Sequence, residues 1–272
     1  MTVERPSFDS STAHPARRYN YWLGGKDHFA ADRESGDAIA ELYPAVVNDA
    51  RMNRRFHCRA VEWLASVRHV SQFLDIGCGL PMPEDNTHDI AQAINPQARV
   101  VYVDNDPLVM VHARALMSSH HARDSVDYVD ADLRTPERIL EGAADALDLS
   151  TPVGLLLTAV LHFLPDADNP YRIVHALLDA LPAGSFLVLS HVSMELASKE
   201  AQQKVAATTD VPGTGQFTNR SKWEIRHFFA GLAFVGSSKP VPVNRWQPEF
   251  GTYQVAEADQ PAAVYGGVAV KH

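Results

Sequence analysis

Along the chain, short apolar runs rich in β-branched residues alternate with stretches whose apolar positions fall three and four apart. From about residue 70 the runs are 71–76, 99–104, 126–130, 153–159 and 185–192. The stretches between them, 86–95, 107–119, 136–147 and 169–181, carry helical spacing. Runs that are apolar throughout suit strands buried on both faces, so the pattern predicts an α/β domain: a parallel sheet covered by helices on each side. Residues 223–231 predict one more helix, and the strand-like segments 232–245 and 262–270 predict an antiparallel hairpin at the sheet edge. No internal repeat or low-complexity tract interrupts the order.

The first 68 residues differ in kind. Segments 27–43 and 48–67 have helical spacing and follow an aromatic and glycine cluster, Arg18-Tyr-Asn-Tyr-Trp-Leu-Gly-Gly-Lys-Asp27. Two or three helices bury little by themselves, so 1–68 is expected to be a helical extension of the sheet domain at 69–272.

The first strand runs into a glycine turn, Phe73-Leu-Asp-Ile-Gly-Cys-Gly-Leu-Pro81. Gly77 and Gly79 allow a sharp bend and a close ligand approach, and Asp75 supplies a carboxylate at the strand end. The dinucleotide fingerprint would require a third glycine at position 82, which is Met82. The second strand ends in Asp104, suited to two ribose hydroxyls, with Asn105 next to it. The third ends in Asp130-Ala-Asp132-Leu133, where Asp132 suits the exocyclic amine of a purine and Leu133 its ring. Acids after strands often serve only as helix caps, but three successive strand ends with ligand-suited chemistry favour a cofactor crevice beyond the carboxyl ends of the strands.

Composition narrows the class. At 272 residues and 46% hydrophobic content the chain can bury a full core. Its 24 basic and 33 acidic residues leave a net charge of -9, which disfavours nucleic-acid and anionic-membrane partners. Cys58 and Cys78 lie far apart and suggest no disulfide framework. Residues 1–15 do not read as a signal peptide, and no apolar run approaches the ~20 residues of a membrane helix. A cytoplasmic location is expected, and the oligomeric state stays open, a homodimer included. His120-His121 has no Cys or acid pattern around it, so no metal site is expected.

The loop after the glycine turn is long, proline-punctuated and acidic. Glu84 and Asp85 would oppose a pyrophosphate, which favours a ligand with adenosine at one end and a cationic group at the other: S-adenosylmethionine. The strand-end motifs, with Val160-Leu-His-Phe-Leu-Pro-Asp166 after the fourth strand, resemble those of class I S-adenosylmethionine-dependent methyltransferases. More narrowly, the 18–27 block, Leu80-Pro81 with Asn86-Thr-His88, and Leu161-His-Phe163 resemble an actinobacterial S-adenosyl methyltransferase family long catalogued as a domain of unknown function. The resemblance spans about residue 14 to Val268. It implies a Rossmann-like sheet of seven strands with a reversed edge hairpin, and an N-terminal block closing over the cofactor. Candidate cofactor-binding residues are then Arg18, Tyr21, Gly25, Asp75, Gly77, Gly79, Asp104, Asn105, Asp132, Leu133 and Thr158. Tyr19, Tyr21 and Trp22 would wall the sulfonium by cation–π contact, and Arg18 would meet the methionine carboxylate.

Methyl transfer from a sulfonium needs proximity above all, and a base only when the acceptor carries a proton. His162 is the catalytic candidate, with capping and packing as its ordinary alternative, and His191 is second. Segment 197–222 is expected to cover a small-molecule acceptor such as a secondary metabolite. A cofactor-binding sensor without turnover and an NAD-dependent oxidoreductase are the rival functions. A nucleic-acid methyltransferase is disfavoured, because Thr158-Ala-Val-Leu161 stands where an Asn-Pro-Pro-aromatic motif would be.

Overall fold

A computed structural model describes residues 9–117, 125–207, 217–248 and 261–272. Three helices lead: α1 (Pro15–Trp22), α2 (Ala30–Leu42) and α3 (Val46–Ser66). Then β1 (Gln72–Ile76), α4 (Thr87–Ile94), β2 (Arg99–Asp104), α5 (Pro107–Met117), β3 (Val126–Asp130), α6 (Pro136–Ala143), β4 (Gly154–Thr158), α7 (Pro170–Asp179) and β5 (Phe186–Val192) alternate. The chain continues through α8 (Lys199–Ala207), α9 (Lys222–His227), β6 (Ala233–Val235), β7 (Val241–Pro242) and β8 (Val264–Val270). The five predicted βα strands all appear, within a residue or so at each end.

The sheet order is β3-β2-β1-β4-β5-β8-β6, with β1 to β5 parallel and β8 antiparallel to β5. Among the described residues eight strands form where seven are expected. The eighth, β7, is two residues long and pairs with the same strand, β8, as β6 does, so seven positions are still filled across the sheet. Sequence order reverses between β1 and β4, which puts the glycine turn and the post-β4 segment side by side at the carboxyl edge.

Alternation along each strand builds two cores. Leu74, Ile76, Val101, Val103, Leu155, Leu157, Leu187 and Leu189 face one side, under α6, α7 and α9. Phe73, Val100, Tyr102, Leu156, Phe186 and Val188 face the other, against Phe56, Trp63 and Leu64 of α3 and Trp246. Each such side chain, fully buried, is worth about 1.5–3 kcal/mol. Helix α3 is thus bolted to the sheet, and Arg59 donates to the Val243 carbonyl at 2.6 Å.

The 18–27 block is helical for its first half. Pro15 occupies the first turn, and the His14 ring accepts from the Ala16 N–H. Gly24 (φ +83°) then turns the chain, and a Cβ on Gly25 would run into the Asn20 side chain, which in turn accepts from the Asp27 N–H.

Candidate functional site

At the carboxyl edge of the sheet lies a cavity of about 540 Å³. Its floor is the glycine turn. Gly77 and Gly79 have φ of +71° and +68°, and a Cβ on Gly77 would come within 2.5 Å of Val160, so only glycine fits there. A Cβ on Gly79 would be in ordinary contact with Ala16 of α1, 3.9 Å away, so α1 lies directly over this residue.

Asp104 locks this turn. One carboxylate oxygen accepts from the Gly79 N–H at 2.9 Å and the other from the Asp106 N–H at 3.0 Å. A carboxylate has about four acceptor positions, so two remain for hydroxyls of a ligand in the cavity. Burial pushes the Asp104 carboxyl up from its ordinary range, and the two backbone donors oppose that. Asp132 is more heavily engaged: it accepts from the Asn105 amide at 2.8 Å, the Arg134 backbone N–H at 2.8 Å and the Arg134 guanidinium. Burial works against its charge, but these donors prevail and hold its carboxyl below the usual range.

Beneath the turn runs a buried polar chain. The Thr87 hydroxyl donates to Asp75 at 2.6 Å, His57 Nε2 lies 2.9 Å from the same hydroxyl, and His57 Nδ1 lies 3.1 Å from the Thr158 hydroxyl. One proton arrangement satisfies all three contacts: neutral His57 donates from Nε2 and accepts from Thr158, whose lone pairs then face the cavity. Burial supports it, lowering His57 to about 3 and raising Asp75 to about 6.

The fourth strand exits through Ala159, held at φ +55° by bonds from its N–H to the Ser190 carbonyl and hydroxyl. A non-glycine residue in this region is strained, and here the strain aims the following turn at the cavity. His162 is 5% exposed and its Nδ1 has no hydrogen-bond partner. Burial, then the charges of His191, Arg220 and Arg18, hold it well below the ordinary imidazole range. His191 is engaged at both nitrogens, donating to the Val192 carbonyl and accepting from Arg220 at 3.0 Å.

The cavity roof is α1 and α2. His14 and Arg17 lie 3.1 and 3.3 Å from the Asp106 carboxylate. Tyr19 donates to the Ala50 carbonyl and accepts from Asn53, whose carbonyl oxygen accepts from Ser190 at 2.6 Å. A profile of the S-adenosyl methyltransferase family matches residues 1–272. The chain belongs to that family.

Two solved structures are similar throughout. One is a protein of the family of unknown function numbered 574 from Streptomyces avermitilis, 39% identical, with TM-score 0.85 over 97% of this chain and 99% of that one. The other, from Thermobifida fusca, is assigned by name, provisionally, to the methyltransferases. It is 33% identical, with TM-score 0.85 over 100% and 99% of the two chains. No curated protein matches the chain. The protein is thus a Rossmann-like S-adenosyl methyltransferase whose donor is S-adenosylmethionine. The glycine turn on the cavity wall and the spare acceptors of Asp104 fit that donor.

In this methyltransferase the expected residues fall unevenly. Arg18, Asp75, Gly77, Gly79, Asp104, Asn105, Asp132, Leu133, Thr158 and His162 all line the cavity. Tyr21 and Gly25 are not among its lining residues. The reason is that 15–22 is a helix: Arg18, Tyr19 and Trp22 share one face and reach the cavity, whereas Tyr21 points to the Asp37 carboxylate, 2.8 Å away. His191 likewise stands off the wall. Glu84 and Asp85 are exposed and are not cavity-lining residues, so acidity of that loop is not what fits the site to its donor. In segment 197–222, Val205 and Phe217 reach the cavity, while Pro212, Gly213 and Gly215 lie outside the described residues, as do His120 and His121. Among the described residues no group of three or more His, Cys, Asp or Glu is placed to hold a metal ion, and no helix is long and apolar enough to cross a membrane.

Asp49, Asn53 and His57 were not expected in the cavity. Their signal is visible afterwards: three polar residues four apart on the otherwise apolar face of α3. The buried histidines also set a pH dependence. An unfolded chain protonates them near 6.5, but His191 takes its proton only at about 4, His57 at about 3 and His162 well below its ordinary value. Their contribution is whole above 6.5 and lost as pH falls through that window. Asp75 and Asp49, both raised to about 6, work in the opposite direction, since the folded state holds their protons more tightly. Burial also raises Asp104 and lowers His88, so four histidines against three carboxylates leave a net loss, and the urea midpoint should fall between pH 6.5 and 4. A flat or rising midpoint would refute this.

Proposed function

We propose that the protein transfers a methyl group to a small-molecule acceptor held beside His162, with the strand ends binding the donor. The observation that supports this is a single cavity joining the glycine turn and Asp104 to an apolar chamber, with the unpartnered Nδ1 of buried His162 on its wall. Gly77 and Gly79 would accommodate the donor's backbone-facing side, Asp104 its ribose, and Asp132 with Leu133 its adenine. Arg18, buried and lining the cavity, is suited to its carboxylate. When bound, the sulfonium supplies an electrophilic methyl carbon and departs as a neutral thioether. His162, neutral near pH 7, receives the proton lost by the acceptor. Its lowered basicity suits an acceptor whose proton leaves easily.

Residues 1–68 act in this reading as a cover. Ala16 sits opposite Gly79, and His14 and Arg17 close on Asp106, so α1 covers the glycine turn. The unpaired Cys58 and Cys78 are in keeping with a cytoplasmic location.

Calorimetry with S-adenosylmethionine and S-adenosylhomocysteine, followed by a methyl-transfer screen of small molecules, tests the proposal. Micromolar binding of both is expected, and His162→Gln should leave S-adenosylhomocysteine affinity within about threefold while slowing turnover about 10²–10⁴-fold. Full turnover by His162→Gln would remove the histidine from the chemistry. NAD binding in place of S-adenosylmethionine would overturn the whole reading.

A further inference from the structure

The part of the cavity at the carboxyl end of β5 is built from α2, α3, α8 and the segments flanking β5 and β8. Its wall is apolar, with Ile39, Leu42, Val46, Met194, Val205 and Phe217 on it. One ionisable pair interrupts that wall. Asp49 and Tyr43 both line the cavity, and the Tyr43 hydroxyl donates to the Asp49 carboxylate at 2.6 Å. Asp49 is 6% exposed and also accepts a backbone bond from Ala263. Among the described residues no Lys, Arg or His lies within ion-pair distance of it.

A buried carboxylate without a cation is expensive, and two neutral donors offset only part of that cost. Proteins keep such a group where a ligand brings the missing charge. Position separates this carboxylate from the donor site. Asp49 stands two helical turns, about 12 Å, along α3 from His57, whose ring contacts Thr87 and Thr158 beneath the glycine turn. Burial raises the Asp49 carboxyl to about 6, so it remains charged at neutral pH, and no cationic side chain contributes to its shift. Aromatic walls at Trp22, Tyr43, Phe163 and Phe217 would add favourable contact with a cation.

We propose that Asp49, with Tyr43 beside it, is the acceptor anchor, and that the acceptor carries a cationic amine on an apolar body, the ammonium being the group held and a separate group beside His162 the one methylated. Asp49 is here a specificity-determining residue, not a base. The assignment rests on the methyltransferase reading above and names the substrate class that this site takes.

The test uses the full-length protein saturated with S-adenosylhomocysteine, titrated with 2-phenylethylamine, tryptamine and n-hexylamine and with the alcohols of the same shape. The amines are expected to bind at least about tenfold more tightly than their alcohols. Asp49→Asn should abolish that preference while leaving S-adenosylhomocysteine affinity within about twofold, which also shows that the variant is folded. Tyr43→Phe, which keeps the carboxylate, should retain the preference. A purely structural Asp49 would leave the preference between amine and alcohol untouched. Equal binding of amines and alcohols, no amine binding at millimolar concentration, or a preference that survives Asp49→Asn would overturn the assignment. If Asp49→Asn instead weakens S-adenosylhomocysteine and spares the amine preference, the residue serves the donor and the assignment also falls. Failure of the wild-type protein to bind S-adenosylhomocysteine is a different result, because it removes the donor reading itself.

Discussion

Replacing Arg220 with alanine is expected to produce the largest loss of stability from a single side chain. Arg220 is 1% exposed and donates to the Leu161 carbonyl at 3.0 Å, the Leu164 carbonyl at 2.8 Å and the Asp166 carboxylate at 2.7 Å, with His191 Nε2 at 3.0 Å. The Asp166 side chain is 70% exposed, so that ion pair contributes little. The Leu161 carbonyl keeps the Leu164 N–H, so the cost lies in the Leu164 carbonyl and a ring nitrogen left without a donor, about 1–3 kcal/mol each, and in the cavity that remains. A total of about 3–5 kcal/mol should lower the melting temperature by roughly 6–20 °C. Lysine should not rescue it, because a single ammonium cannot serve four partners in a fixed fork. The 161–166 segment carries His162 and Phe163, so affinity for S-adenosylhomocysteine should fall with stability. A melting temperature within about 2 °C of the wild type would show that the segment is held by other contacts.

Asp104→Ala is expected to have the largest effect on donor binding. It removes two charge-assisted acceptors for the ribose, each worth about 1.5–3 kcal/mol, and releases the Gly79 and Asp106 N–H groups that shape the turn. Affinity for S-adenosylhomocysteine, read by calorimetry, should drop at least about 100-fold. Asp104→Asn, which keeps one acceptor, should lose roughly tenfold. Asp132→Ala should cost less than Asp104→Ala, because Asn105 and Arg134 already occupy most of its lone pairs. Equal losses at the two positions would mean that the engaged carboxylate gives up its partners on binding.

These two residues differ in how readable they were. Asp104 ends an apolar run and follows a glycine turn, so local pattern places it in the crevice. Arg220 sits in a polar segment whose only clue is its charge, and its partners lie 29 to 59 positions away. The βα order and the strand ends were legible because each depends on residues near in sequence. The half of the cavity carrying Asp49 was not, since α2, α3 and α8 meet there through contacts that no local period encodes. Tyr21 illustrates the intermediate case. The block around it was recognisable, but which of its aromatics faces the cavity depends on whether 15–22 is a helix, and a one-residue rotation decides it.

The position of β8 bears on how this site comes into being. It follows β5 and β6 in the chain yet lies between them, pairing with both. Until it is inserted, β5 is an open edge and the Ala263 partner of Asp49 is missing. The bonds that join α3 to the rest of the cavity span 101 residues to Thr158 and 137 to Ser190, and Arg59 reaches 184 residues to Val243. Closing such loops is slow, so a ribosome-bound chain can complete the parallel strands β1 to β5 well before it has a binding chamber. Competence to bind is therefore a late event in the life of each molecule, reached only when β8 is threaded between β5 and β6.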